Sequence, residues 1–164
     1  MGFLAFLPSP SRGSIDLGFL ELRAYGMMIA LGVVAAVWVA QKRWVAKGGH
    51  QDDITAIASW AVPAGLIGAR VYHVATDWKR YQGSWGDAVK IWEGGLGIPG
   101  GLAAGIIVGV LVARKRGISP SGILDAAIPS LPIAQAIGRL GNWFNQELFG
   151  GPTDLPWGLK IDQA

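Results

Sequence analysis

Gly94-Gly95-Leu96-Gly97-Ile98-Pro99-Gly100-Gly101-Leu102-Ala103-Ala104-Gly105-Ile106-Ile107-Val108-Gly109-Val110-Leu111-Val112-Ala113 contains no charged residue, and Arg114-Lys115-Arg116 follow it directly. A helix needs about 20 predominantly apolar residues to cross a hydrocarbon core roughly 30 Å thick. The stretch is that long, so it reads as a transmembrane helix with cations marking its far end. Three further segments frame it. Residues 22–40 are uncharged from Ala24 onward, and residues 54–75 are apolar apart from Pro63, a helix breaker, and a few polar residues including Arg70. Residues 123–144 are the most polar of the four, holding Asp125, Pro129, Pro132, Gln135 and Arg139. The expected fold class is all-α: a polytopic transmembrane helical bundle of about four membrane segments (22–40, 54–75, 94–113, 123–144), in a single transmembrane domain over residues 1–164.

Composition agrees with that reading. Apolar residues make up 51% of the 164 and charged residues only 15%, with a mean hydropathy of +0.38; soluble domains carry about a quarter charged residues. Glycine (25) and tryptophan (8) are abundant, as expected of close-packed membrane helices and of aromatic belts at the membrane surface. Trp38, Trp44 and Trp60 read as such anchors. With no Cys, thiolate nucleophiles and disulfides are excluded, and two His, His50 and His73, are too few for a His-only metal centre. No metal and no cofactor is expected. A pI near 9.5 in a soluble chain would suggest nucleic acid, but here the cations flank apolar runs. They read as topology signals and anionic-lipid contacts, so the expected partner is the bilayer and not nucleic acid. The apolar stretch Gly2–Leu7 is too short, and lacks the basic flank, to be a secretory signal.

The loops give an orientation. Lys42, Arg43 and Lys47 follow the first segment and Arg114–Arg116 the third; Lys79, Arg80 and Lys90 lie in the second loop. Because Arg114–Arg116 abut their helix, loops one and three are expected in the cytoplasm and the N-terminus outside. The fourth segment then runs outward and delivers residues 139–150 to the outer face.

The run Gly138-Arg139-Leu140-Gly141-Asn142-Trp143-Phe144-Asn145-Gln146-Glu147-Leu148-Phe149-Gly150 carries the chemistry. An Arg at the bilayer centre costs about 2.5–3.5 kcal/mol on insertion scales, which nearby amides and a carboxylate offset in part by charge-assisted hydrogen bonds. On a helix Asn142 lies three residues from Arg139 and Asn145 six, so all three can share a face. Two readings are open on physics alone: a polar functional site, or an Arg that snorkels to the interface among ordinary capping neighbours.

The same run resembles the signature of the prolipoprotein diacylglyceryl transferase family, Gly-Arg-x-Gly-Asn-x-x-Asn-x-Glu followed by Gly. Its fixed positions are filled by Gly138, Arg139, Gly141, Asn142, Asn145, Glu147 and Gly150. Pro152–Gly158 is similar to the family's periplasmic segment, and Ser9-Pro10-Ser11 to its outer N-terminal one. Arg23-Ala24-Tyr25-Gly26 resembles its first-helix entry, and Gly68-Ala69-Arg70 its second-helix stretch. Two departures stand out. Pro99 occupies a place where many members carry His before Gly-Gly, so no His-based proton transfer carries over at that position and the general base is left unidentified. Family members also continue through further helices with another functional Arg, so the resemblance implies the N-terminal portion of a longer enzyme.

The resemblance implies an enzyme of the bacterial inner membrane, acting at the outer face. It would transfer the diacylglyceryl group of phosphatidylglycerol to the lipobox cysteine thiol of a prolipoprotein signal peptide. A thioether forms and glycerol 1-phosphate leaves. Arg139 is assigned to the headgroup phosphate, with an ion pair to Glu147 as the alternative. Asn142 and Asn145 would orient headgroup or Arg139, or simply bond between helices. Glu147 would position Arg139 or take the thiol proton, the former preferred because a carboxylate paired with Arg is weakly basic. Gly150 would admit close backbone approach or merely stop a helix. Tyr25 would meet headgroup or substrate, or sit in the aromatic belt. Arg70 would be a second phosphate contact or an interface snorkeller, and His73 an interfacial hydrogen-bonding residue. The alternative from another class is half of a transporter with a site at a helix broken by Pro129, Pro132 and Gly141; it predicts an inverted repeat, and the sequence has none.

Overall fold

The computed structural model describes residues 7–10, 13–16, 21–91 and 94–162. Most of the apolar stretch Gly2–Leu7, together with Ser11 and Leu20, lies outside the described residues. Helices dominate: α1 (Ala24–Ala46), α2 (Gln51–Thr76), α3 (Ile98–Lys115), α4 (Pro120–Ala127) and α5 (Ser130–Asn145). Two 3-10 turns, Trp78–Tyr81 and Trp85–Val89, lie between α2 and α3. Among the described residues there are also four short strands: β1 (Leu7–Pro8), β2 (Ser14–Asp16), β3 (Glu21–Arg23) and β4 (Leu159–Lys160). β2 and β3 pair antiparallel, and β1 pairs parallel with β4, Leu7 opposite Leu159.

Three helices, α1, α2 and α3, are long and apolar enough to cross a membrane. Their outward residues are large and apolar, with Val34, Ile67 and Ile107 each about 60% exposed or more, a surface that water would not tolerate at this extent. α1 runs past the expected limit at residue 40 because Lys42 and Arg43 are good helix formers beyond an apolar core. It stops at Gly48, in the left-handed conformation (φ 86°). There the Gly48 N–H donates to the Val45 carbonyl and the Gly49 N–H to that of Trp44, at 2.9 and 3.1 Å. α3 ends the same way at Gly117 (φ 71°), with Gly117 donating to Arg114 and Ile118 to Ala113. This is the glycine stop that satisfies two orphan carbonyls at once.

The fourth expected segment, residues 123–144, is not one helix. Pro129 cannot donate the backbone bond that continuation requires, and the chain divides into the 8-residue α4 and the 16-residue α5. At 1.5 Å per residue α5 reaches about 24 Å, less than the hydrocarbon thickness.

The chain forms two compact units, residues 1–39 with 129–164, and residues 40–128. In the second, α2 and α3 pack antiparallel along a seam of small residues. A Cβ at Gly68 would lie 2.6 Å from the Gly100 carbonyl oxygen, and one at Gly65 3.2 Å from that of Gly101. Gly101, Gly105 and Gly109 repeat every four residues on α3, the spacing that lets two backbones approach. The Gly97 N–H donates to the Ala69 carbonyl at 2.8 Å, tying the start of α3 to α2. At the other end of the pair, Asp53 accepts from the Trp44 indole (3.1 Å) and from Arg116 (3.2 Å). Lys47 meets Asp125 at 3.4 Å. Trp44, expected as a lipid anchor, is thus half-buried and hydrogen-bonded, its ring against Gly49 and Gly122. In the first unit α1 and α5 pack antiparallel: Gly32 faces Ala134, Ile29 faces Gly138, and Tyr25 faces Gly141.

Candidate active site

α5 carries the signature, and its small residues explain where the polar ones stand. Gly138 and Gly141 are buried and face α1; a Cβ at Gly141 would sit 2.8 Å from the Tyr25 ring and 3.1 Å from Tyr25 Cα. Only glycine admits that approach. With those glycines turned toward α1, Arg139 is left exposed on α5, and Asn142 half-buried. Tyr25 is 37% exposed, so it meets the signature through Gly141 while keeping much of its surface open.

Among the described residues Arg139 has one hydrogen bond, from Nη2 to the Leu148 carbonyl at 3.1 Å. A guanidinium has five N–H donors, so most of its fork faces outward. No ion pair reaches it among the described residues. Glu147 instead accepts from Asn145 Nδ2 at 3.2 Å, which gives the carboxylate a partner other than the expected Arg139.

The backbone here is unusual. α5 ends in the same double pattern as α1 and α3, Gln146 donating to Trp143 (3.2 Å) and Glu147 to Asn142 (3.0 Å). The left-handed position is held not by glycine but by Gln146 (φ 50°), and Leu148 (φ 53°) is left-handed too. Each costs on the order of 1–2 kcal/mol for a residue with a Cβ. Gln146 is pinned by its carboxamide: Nε2 donates to the Pro10 carbonyl (3.1 Å) and to Asp162 Oδ2 (2.9 Å), and Oε1 accepts from the Asp162 N–H (2.7 Å). Gly150 is exposed, and a Cβ there would meet nothing within 4 Å. Sequence reasoning passed over Gln146 because the signature leaves that position open, and its partners lie 136 and 16 residues away.

Arg70 belongs to the other unit and behaves differently. Only 7% exposed, it donates from Nε to Ala88 O (2.8 Å), from Nη2 to Asp87 O (2.7 Å), and from Nη1 to Gly94 O and Gly95 O. Its guanidinium carbon lies 5.5 Å from the Tyr81 ring centre, close enough for a cation–π contribution. Arg70 therefore fastens the connection between α2 and α3. His73 packs edge-on to Tyr81 at 6.2 Å, and its buried Nε2 has no hydrogen-bond partner.

Apolar spanning helices, glycine-mediated contacts and a polar helix end carrying an open guanidinium define a multi-pass α-helical membrane protein with a polar site. Comparison with known proteins names the family. The family model of prolipoprotein diacylglyceryl transferase matches residues 12–164, and the chain belongs to that family. The phosphatidylglycerol–prolipoprotein diacylglyceryl transferase of Streptomyces griseus is 54% identical over 164 residues, which is 98% of this chain and 50% of that protein. Transferase 1 of the same name from Streptomyces coelicolor is 54% identical over 161 residues, 96% of this chain and 47% of its own length. The chain thus spans about half the length of the curated relatives it matches. Family membership displaces the transporter-half alternative, although the helix break at Pro129 that suggested it is present.

Proposed function

We propose that this chain contributes the phospholipid-binding part of a phosphatidylglycerol–prolipoprotein diacylglyceryl transferase. The observation that carries this reading is the open fork of Arg139, held by one backbone carbonyl at the end of α5 within the intact signature. In the reaction, the lipobox cysteine sulfur attacks the glyceryl carbon next to the phosphate ester oxygen. The C–O bond breaks, a thioether forms, and glycerol 1-phosphate departs. The phosphate passes from one negative charge as a diester toward two as a monoester. A cation on it is therefore bound more tightly in the transition state than in the ground state, which is the condition for acceleration. Arg139 supplies that cation with bidentate geometry.

Asn142 and Asn145 orient the headgroup and the Glu147 carboxylate. Glu147, already bonded to Asn145, serves as a positioning acid and as an acceptor for the thiol proton. Tyr25 lines the same helix end through Gly141, and Gly150 leaves room beside it for substrate backbone. Arg70 supports the neighbouring loop and contacts phosphate only through its last free N–H. The substrates are phosphatidylglycerol and the signal peptide of a prolipoprotein with its lipobox cysteine. The protein sits in the bacterial inner membrane as one transmembrane domain, N-terminus outside. What supports that orientation is the charge of Lys42, Arg43, Lys47 and Arg114–Arg116, with Tyr25 and those first-loop cations at opposite ends of α1.

The test is complementation in cells depleted of their own transferase. Three forms are compared: this chain alone, this chain joined to the portion of the Streptomyces griseus relative that the match leaves uncovered, and the joined form with Arg139→Ala. Restored lipoprotein modification that is lost with Arg139→Ala is the expected result. A stably inserted joined form that never restores modification overturns the reading.

A further inference from the structure

α1, α3 and α5 end in one hydrogen-bond pattern, and two of them use glycine at its left-handed position while α5 uses Gln146. Glycine would serve the backbone better there. A side chain standing there at that conformational cost points to a task for the side chain itself. Its carboxamide joins three parts of the fold: the end of α5, the N-terminal segment at Pro10, and the segment after β4 at Asp162. Both Nε2 hydrogens and one Oε1 lone pair are engaged, so the amide plane is fixed. What it fixes is the turn on which Glu147 and the Leu148 carbonyl stand, the acceptor of Arg139.

We propose that Gln146 is a positioning residue, a carboxamide strap that sets the turn beneath Arg139 and so the direction of the Arg139 fork toward phosphate. The inference rests on the reading of Arg139 as the phospholipid contact. Nearby, Gly13 carries no side chain because Asn145 Oδ1 and the Phe144 carbonyl would each lie 3.2 Å from its Cβ. The N-terminal segment therefore lies against the same helix end that the strap holds.

The experiment uses the full-length enzyme in phosphatidylglycerol vesicles with a synthetic lipobox peptide, and measures KM for lipid and for peptide separately. Gln146→Gly keeps the turn and removes the amide. The expected result is a rise of about fivefold or more in the lipid KM, with the peptide KM unchanged. Gln146→Glu sets a carboxylate against Asp162 and produces the same shift. Adding Asp162→Asn to it restores a donor–acceptor match and returns the lipid KM to within about twofold of the original. Should Gln146→Gly fail to insert, Asp162→Ala tests the strap from its other end. Wild-type values of both KM in the inserted variants overturn the proposal. So does a fall in rate that only tracks the amount of folded protein, because a merely structural residue leaves both KM values alone. Arg139→Ala is run beside them. If it retains activity, the assignment of Arg139 fails; if it is inactive while Gln146→Gly is normal, only the strap fails.

Discussion

Arg70 and Arg139 carry the same five N–H donors and use them in opposite ways. Arg70 is buried and gives its donors to four backbone carbonyls between Asp87 and Gly95. Arg139 is exposed and gives one hydrogen bond, to Leu148. A guanidinium with four donors on the backbone organises the chain around it, whereas one with a single bond keeps most of its donors open. An arginine within an apolar segment is thus no guide to function until its donors are traced.

The contrast can be broken most directly at Arg139. Arg139→Ala is expected to lower kcat/KM for diacylglyceryl transfer by about 10²–10³, as loss of a donor to developing charge does elsewhere. Its thermal unfolding in detergent should stay near wild type, since only one hydrogen bond to a carbonyl is lost. A variant that melts early and transfers normally would reverse the roles given to the two arginines. Arg139→Lys sharpens the point: charge without the fork should leave activity down by about tenfold or more in the same assay.

Arg70→Ala should do the reverse. Four carbonyls lose their donor, at a cost of about 2–4 kcal/mol after water replaces some of it, read as a lower unfolding midpoint and faster proteolysis between α2 and α3. Gly68→Ala probes the seam that holds the same pair. Its Cβ meets the Gly100 carbonyl, which cannot swing aside, so about 1–3 kcal/mol of stability is expected to go. The smallest effect belongs to Asp125→Asn, whose exposed pair with Lys47 should contribute under about 1 kcal/mol of stability, read by denaturant unfolding.

Much of this fold is legible in apolar length. The uncharged stretch ending at Ala113 became α3, which begins at Ile98 because Pro99 suits a first helical turn and not its interior. The stretch around Pro63 became α2 unbroken, its first turn capped by His50 and Asp53. Charge marks the edge of lipid and Gly48 the end of the helix, so α1 runs on beyond the span read over residues 22–40. Apolar length alone also runs α4 and α5 together across Pro129. Residue types, spacing and the family resemblance mark Arg139, Asn142, Asn145 and Glu147 as candidates. They could not give the pairing of Glu147 with Asn145, set by the left-handed turn at Gln146, nor the four carbonyl partners of Arg70, set by where the chain between α2 and α3 returns in space. The Gly101, Gly105, Gly109 repeat was readable and signals the α2–α3 seam.

The parallel pairing of β1 with β4 has a temporal side. Leu7 meets Leu159 and Pro10 meets Gln146, so these bonds cannot form until the ribosome has delivered about 150 residues beyond the first of them. At about 5–20 residues per second that is a wait of roughly 8–30 s. The α2–α3 hairpin, joined by contacts close in sequence, can be complete well before. The α2–α3 hairpin thus has time to form before the bonds that hold Gln146. A nascent chain thus meets lipid for some seconds before the end of α5 is tied to the N-terminal segment.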